Sequence, residues 1–411
     1  MTEQDFAKKV NELGGRAYLV GGAVRDKFRG VKAHDRDYCV TGLEEKIFAK
    51  TFPNARKFGK SFPVYSVDID KDFCEVAFAR TEHKVDIGYR GFEILFAPTV
   101  TIEQDLFRRD TTINAMAVDI LSGELVDPFG GREDVINKKI RAVSEHFIDD
   151  SVRALRAARQ SAQFDFEICP ETIEAMKKCG AELAHEPSER IFNETETALR
   201  TDKPSIFFRN LDRADLLKII FPEITQLRGK IQPIVYHPEG DAYEHTMQIV
   251  DEVAKVNDNP VVRFAALVHD IGKGTTPPEM LPHHYRHEFR GLDVLEKMNE
   301  RMRLPSDWKK MAAFVIREHM RASRLKKPEK IVKLLIAINN PKIGVKNFCD
   351  IIRADNHGLP PYLEHAQEII AELLKINGSI VPQDLTGADI GKWILEKRAQ
   401  LFTEIYRKEI D

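Results

Sequence analysis

The sequence predicts an α+β chain: a head of mixed sheet with helices, then a helical neck and body, then an all-α C-terminal domain. Three observations carry this expectation. In the first 140 or so residues, short apolar runs close on glycine, beginning with residues 17–20 (AYLV) ahead of Gly21-Gly22, and read as buried strands entering turns. From about residue 147 the apolar positions change to helical spacing, as at Val152, Leu155 and Ala158. At residues 229–238 (GKIQPIVYHP), a glycine and two prolines interrupt helix. The expected division is 1–145, 146–228 and 229–411, in line with a 411-residue chain too long for one core.

Composition narrows the class. The chain is 43% hydrophobic and 31% charged, as soluble globular proteins are. Its 62 basic and 65 acidic residues leave a net charge of −3, which excludes a histone-like nucleic-acid coat but allows a local basic groove. The cysteines (Cys39, Cys74, Cys169, Cys179, Cys349) are dispersed with no C-x-x-C pair, which suggests reduced thiols. The N-terminus, MTEQDFAKKV, has no apolar h-region, and no apolar run approaches the roughly 18 residues of a membrane span. A cytoplasmic protein without membrane contact is expected.

In the head, residues 21–26 (GGAVRD) follow the first strand and open a helical pattern, where glycine lets backbone N–H groups approach phosphate oxygens. Residues 34–40 (HDRDYCV) come next. On a strand, Asp35 and Asp37 project from one face, and two such carboxylates repel unless a cation sits between them; hard oxygen ligands suit Mg²⁺. Further strands are expected at 38–40, 64–67 and 74–78.

GGAVRD followed by D-x-D resembles the signature of class II tRNA nucleotidyltransferases and bacterial poly(A) polymerases, in the polymerase β superfamily. Residues 78–82 (FARTE) and the stretch to Gly91 resemble the family's basic/acidic and flexible-loop region. Residues 108–117 (RRDTTINAMA) are similar to its R-R-D-x-T-I-N-A-M-A, and 127–134 (DPFGGRED) to its D-P-x-G-G element. The resemblance implies a polymerase-β-like head in which Asp35 and Asp37 hold two Mg²⁺ ions, one activating an RNA 3′-hydroxyl and the other steadying the departing pyrophosphate. It also implies nucleotide contacts at Gly22, Arg25 and Arg109. Glu75, in a strand pattern, is a candidate third ligand, while Arg108 and Asp110 read as braces of the fold.

In the neck, residues 149–159 (DDSVRALRAAR) place Asp150 and Arg153 at i, i+3 on one helix face, with Arg156 and Arg159 continuing a basic stripe. Carboxylate only accepts and guanidinium only donates. Cytosine and adenine each offer an amine beside an unprotonated ring nitrogen, whereas uracil and guanine offer the reverse. An Asp/Arg pair therefore suits C and A and leaves groups unpaired against U and G. The segment resembles the class II E-D-x-x-R motif, in which such a pair serves as template. Asp149 stands where that motif has Glu, Ser151 where Pro is common, and Gln160-Ser161-Ala162 where Phe-Ala is usual. Residues 186–194 (EPSERIFNE) resemble a neck element, with charges read as structural.

In the C-terminal part, His245 and the pair His269-Asp270, which closes the apolar run 264–268 (FAALV), are polar groups expensive to bury without a partner or metal. With Asp355 they resemble the H…HD…D pattern of HD phosphohydrolases. Mg²⁺, Mn²⁺, Ni²⁺ and Zn²⁺ all suit imidazole and carboxylate ligands. His283, His284, His287 and His319 are candidates for a second metal or for phosphate contact. The whole resembles multifunctional CCA enzymes, which implies C, C and A addition to tRNA from CTP and ATP, with 2′,3′-cyclic phosphodiesterase, 2′-nucleotidase and phosphatase activity in the HD domain. The stretch 88–91 favours the full series over a partial CC- or A-adding enzyme. An HD phosphohydrolase with a degenerate tRNA-binding head is the other alternative, and monomer and homodimer both remain open.

Overall fold

The computed structural model describes residues 1–410 other than 34, 59–61, 87, 89, 90 and 236, with side chains to residue 406. The chain forms two compact units, one from Met1–Thr195 with Ile206–Ile220, the other from Glu196–Ser205 with Phe221–Asp411.

The strands of the first unit include β1 (Arg16–Val20), β2 (Asp37–Thr41), β3 (Arg56–Phe58), β4 (Val64–Ile69), β5 (Asp72–Phe78), β6 (Arg80–Lys84), β7 (Phe92–Phe96), β8 (Ala117–Asp119) and β9 (Leu125–Val126). Among the described residues, seven of them form a mixed sheet in the order β3-β4-β5-β2-β1-β8-β9, with β2 and β5 parallel. Alternation along β2 explains how the sheet is buried. Tyr38 and Val40 pack into a cluster with Phe6, Phe48 and Phe78, while Cys39 faces the opposite cluster with Leu106 and Ala117. The expected strands at 17–20, 38–40, 64–67 and 74–78 lie within β1, β2, β4 and β5.

Residues read as a loop region form the separate antiparallel hairpin β6–β7. Of the stretch 88–91, residues 89 and 90 lie outside the described residues, as does His34 of the D-x-D segment. A second difference concerns Asp35. It precedes β2, which begins at Asp37. Asp37 pairs with Val20, the last residue of β1, and Gly21 then turns away at φ 65°, which ends the β1–β2 ladder before Asp35.

In the second unit the helices Ala242–Val256, Pro260–Val268, Ser306–Ala322, Pro328–Ile338 and Val345–Asn356 bury Val253, Ala265, Val315, Leu335 and Ile352 in one core. The buried Arg263 ties a sequence-distant segment to it. Its guanidinium donates to the carbonyls of Leu199 and Thr201 at 2.7 Å each, of Asn257 at 2.6 Å and of Ala254 at 2.9 Å. Ser205 adds two hydrogen bonds to Asp251, at 2.9 and 2.7 Å. No described helix is long and apolar enough to cross a membrane.

Candidate nucleotide and metal sites

The first unit holds a polar cavity of about 710 Å³. One wall is the turn from β1 into the helix Gly22–Arg29. Gly21 sits at φ 65°, and a Cβ there would stand 3.0 Å from Arg109 Nη1, so both backbone and space call for glycine. Arg25 donates to Asn114 Oδ1 at 2.7 Å and to Asp26 at 3.0 Å, and lies 4.2 Å over the Phe164 ring. Arg109 is braced by Asp105 at 3.0 Å and by the Asn114 carbonyl at 3.2 Å, while its buried Nε makes no hydrogen bond. Arg108 binds Asp105 at 2.7 Å and Glu82 at 3.0 Å, a bracing arrangement.

Asp37 also lines this cavity and sits beside Glu75 across the parallel β2–β5 pair. Burial, then Glu75 and Asp35, push the Asp37 carboxyl above its ordinary value, against the pull of Arg109. Arg36, between the two aspartates in sequence, is turned to Asp70 at 2.7 Å. Asp37 and Glu75 thus stand as neighbouring carboxylates on one face of the sheet, oxygen donors that fit a hard divalent cation such as Mg²⁺.

The neck residues reach the same cavity, but not as the helix-face pair that sequence spacing suggests. The helix Val152–Phe164 begins two residues after Asp150, whose extended backbone (φ −123°, ψ 109°) lies outside it. Asp150 accepts from the Val152 amide at 3.1 Å and from Arg190 Nη2 at 2.8 Å. Arg153 instead donates to the His146 carbonyl at 2.6 Å and stands 3.8 Å from Glu82. Asp150 and Arg153 thus share the cavity lining without forming an ion pair to each other. Arg156 pairs with buried Asp110 at 2.7 Å, and Arg159 with Glu194 at 2.5 Å. Burial raises the Asp110 carboxyl, but Arg156 outweighs it and holds the group well below the usual range. Arg190, Asn193 and Glu194, whose segment was read as structural, line the cavity from the helix Ser188–Leu199.

In the second unit, His245, His269, Asp270 and Asp355 converge. His245 Nε2 is 3.1 Å from Asp355 and 3.9 Å from Asp270; His269 Nε2 is 3.2 Å from Asp270 and 3.5 Å from Asp355. Asp270 also meets His287 Nε2 at 3.1 Å and His319 Nε2 at 3.3 Å, so it joins two trios of candidate ligands. Burial disfavours the charged His269 ring, yet Asp270 and Asp355 push its pKa up to about 10. His269 Nε2 and both Asp270 oxygens are buried and make no hydrogen bond, although charged neighbours stand at contact distance. Lys273 Nζ stands 2.5 Å from Asp270 and His245 bonds Asp355, and the imidazole and carboxylate atoms left crowded there without hydrogen-bond geometry fit a divalent metal. His284 is engaged by Thr276 at 2.8 Å, and His283 is exposed and stacks on Tyr285; neither belongs to the two trios. His237 and Glu239, which sequence spacing did not single out, form a third group with His245.

Residues 17–141 match the family described as "Poly A polymerase head domain", 165–227 "Probable RNA and SrmB- binding site of polymerase A", and 242–340 "HD domain". The chain is 40% identical over 350 residues to the multifunctional CCA protein of Actinobacillus pleuropneumoniae serotype 5b (strain L20), covering 82% of this chain and 83% of that protein. It is 37% identical over 407 residues to the multifunctional CCA protein of Acinetobacter baumannii (strain ATCC 17978), covering 95% and 97%. Among solved structures, the Bacillus stearothermophilus CCA-adding enzyme in complex with CTP superposes with a TM-score of 0.66 at 23% identity, over 98% of this chain and 92% of that one. At that identity the likeness is one of fold.

Proposed function

The chain belongs to the multifunctional CCA proteins, and from that premise we propose that it adds C, C and A to the 3′ end of tRNA from CTP and ATP, and hydrolyses phosphate esters at its HD cluster. One observation carries the first half: Gly22, Asp37, Arg109, Asp150 and Arg153 line a single cavity. In this reading the tRNA 3′-oxygen bonds to the α-phosphorus of the bound nucleotide, and the bond to the β-phosphate oxygen breaks to release pyrophosphate. Asp35 and Asp37, with Glu75 beside them, would hold Mg²⁺, which supplies charge neutralisation for the attacking and leaving oxygens. The Gly22 turn and Arg25 face the triphosphate, and Arg109 is held in place for it by Asp105. Asp150 and Arg153 select the base, and Arg156 and Arg159 line the approach.

The experiment is single-nucleotide incorporation on tRNA transcripts ending before, within and after CCA, each offered one labelled nucleotide. Stepwise C, C, then A is expected. Incorporation of only CC or only A would replace the full series with a partial one, and no incorporation would leave a degenerate head. For the HD cluster, metal-dependent cleavage of 2′,3′-cyclic nucleotides, 2′-nucleotides and phosphomonoesters is expected, with Mg²⁺, Mn²⁺, Ni²⁺ and Zn²⁺ tried in turn. His245, His269, Asp270 and Asp355 would be its ligands. The proposal retains the three-part division at 145 and 228 and a cytoplasmic location.

A further inference from the structure

We infer that Glu239 is a positioning residue of the HD cluster: its carboxylate holds the Nδ1–H of His245, so that His245 presents an unprotonated Nε2 to the space shared with His269, Asp270 and Asp355. The inference rests on the proposal that this cluster holds a metal.

The buried His245 is engaged at both ring nitrogens. Nδ1 stands 2.5 Å from Glu239 Oε1, and Nε2 faces Asp355 at 3.1 Å. A neutral imidazole carries one N–H and one lone pair, and an ionised carboxylate only accepts. Each ring nitrogen thus faces a carboxylate, Glu239 at the shorter distance; where a metal takes the Nε2 lone pair, the one proton left on the ring sits on Nδ1, and Glu239 is the acceptor placed to hold it. The carboxylate is held in its turn. The same Oε1 lies 3.2 Å from Nδ1 of His237, whose ring meets that of His245 edge-on with centroids 4.7 Å apart. Asp241, two residues on, caps the helix Ala242–Val256 that bears His245, so the orienting group and its target leave the same turn.

A separate ion held by His237, Glu239 and His245 is the competing reading of this trio. Ligands of one tetrahedral ion with bonds near 2.0 Å sit about 3.3 Å apart, whereas the 2.5 Å between Nδ1 and Oε1 is a hydrogen-bond contact. Carboxylates that orient metal-bound imidazoles are worth about 10–100-fold in metal affinity.

The test is calorimetric titration of the full chain with Ni²⁺ under saturating Mg²⁺, comparing wild type, E239A, E239Q and H245A. E239A should weaken the Ni²⁺ event by about 10–100-fold. E239Q, whose amide oxygen still accepts the N–H, should recover most of it, and H245A should lose it. Thermal unfolding of each variant establishes that the fold is intact. Wild-type affinity in E239A, with H245A impaired, would overturn the inference and leave the metal reading standing. Wild-type affinity in H245A would overturn both.

Discussion

Asp150 accepts from Arg190 and from the Val152 amide, contacts that hold the carboxylate in place and leave acceptor capacity on Oδ2 for a base. If Asp150 accepts from the exocyclic amine of C or A, then Asp150→Ala removes that attraction and also the repulsion of a U or G carbonyl. A charge-assisted hydrogen bond is worth about 1.5–3 kcal/mol, and about 1.36 kcal/mol is tenfold. The C-over-U and A-over-G ratios should fall by roughly ten- to a hundredfold, measured as single-nucleotide incorporation rates with all four triphosphates. Ratios equal to wild type would place base reading elsewhere. Asp110 supports a prediction about acid. Because Arg156 holds its folded pKa below the unfolded value of about 3.9, the pair contributes stability that is complete above that pH and fades as pH falls toward the folded value. Asp110→Asn should therefore lower the melting temperature most at pH 6–7, with the gap to wild type closing below about pH 4. A gap that stays constant across that range would mean the carboxylate's charge is not what stabilises the pair.

At the scale of elements, the hairpin β6–β7 is fastened to the neck. Lys84 donates to the Asp149 carbonyl at 2.7 Å and to Glu182 at 2.5 Å, and Glu182 also accepts the Gly88 amide at 2.8 Å. One carboxylate thus secures the hairpin beside the peptide that leads into Asp150. Glu182→Ala should speed amide hydrogen exchange across β6 and β7 while β1, β2 and β5 stay protected. Equal exchange in both regions of wild type and variant would show that the latch carries no local stability. The buried strands of the head were legible because short apolar runs closed by glycine turns are local signals. The start of the neck helix was legible in principle: Asp150 ahead of an apolar run is an N-cap signal, and its carboxylate does accept the Val152 amide, which keeps Asp150 itself out of the helix. Arg190, Asn193 and Glu194 share one helix face by spacing, but nothing local says that this face meets a cavity. Glu239 was harder still, since a turn without periodicity reveals its neighbours only when the helix bearing His245 is in place.

For the whole molecule, the two proposed chemistries lie in different compact units, which predicts that they separate by mutation. Asp37→Ala should abolish nucleotide addition while hydrolysis of 2′,3′-cyclic nucleotides persists, and His269→Ala should do the reverse. The check is both assays on both purified variants; loss of both activities from either change would mean the units depend on each other for folding or chemistry. Their covalent arrangement tells a different story. Residues 196–205 belong to the second unit although 206–220 return to the first, and Arg263 and Asp251 hold that early segment by its carbonyls, amide and hydroxyl. A nonsense mutation after residue 228 therefore deletes the HD cluster and also strips residues 196–205 of the partners that hold them. The two modules are interleaved along the chain, so a message cut short between them yields a product with an unsupported segment and not a clean half.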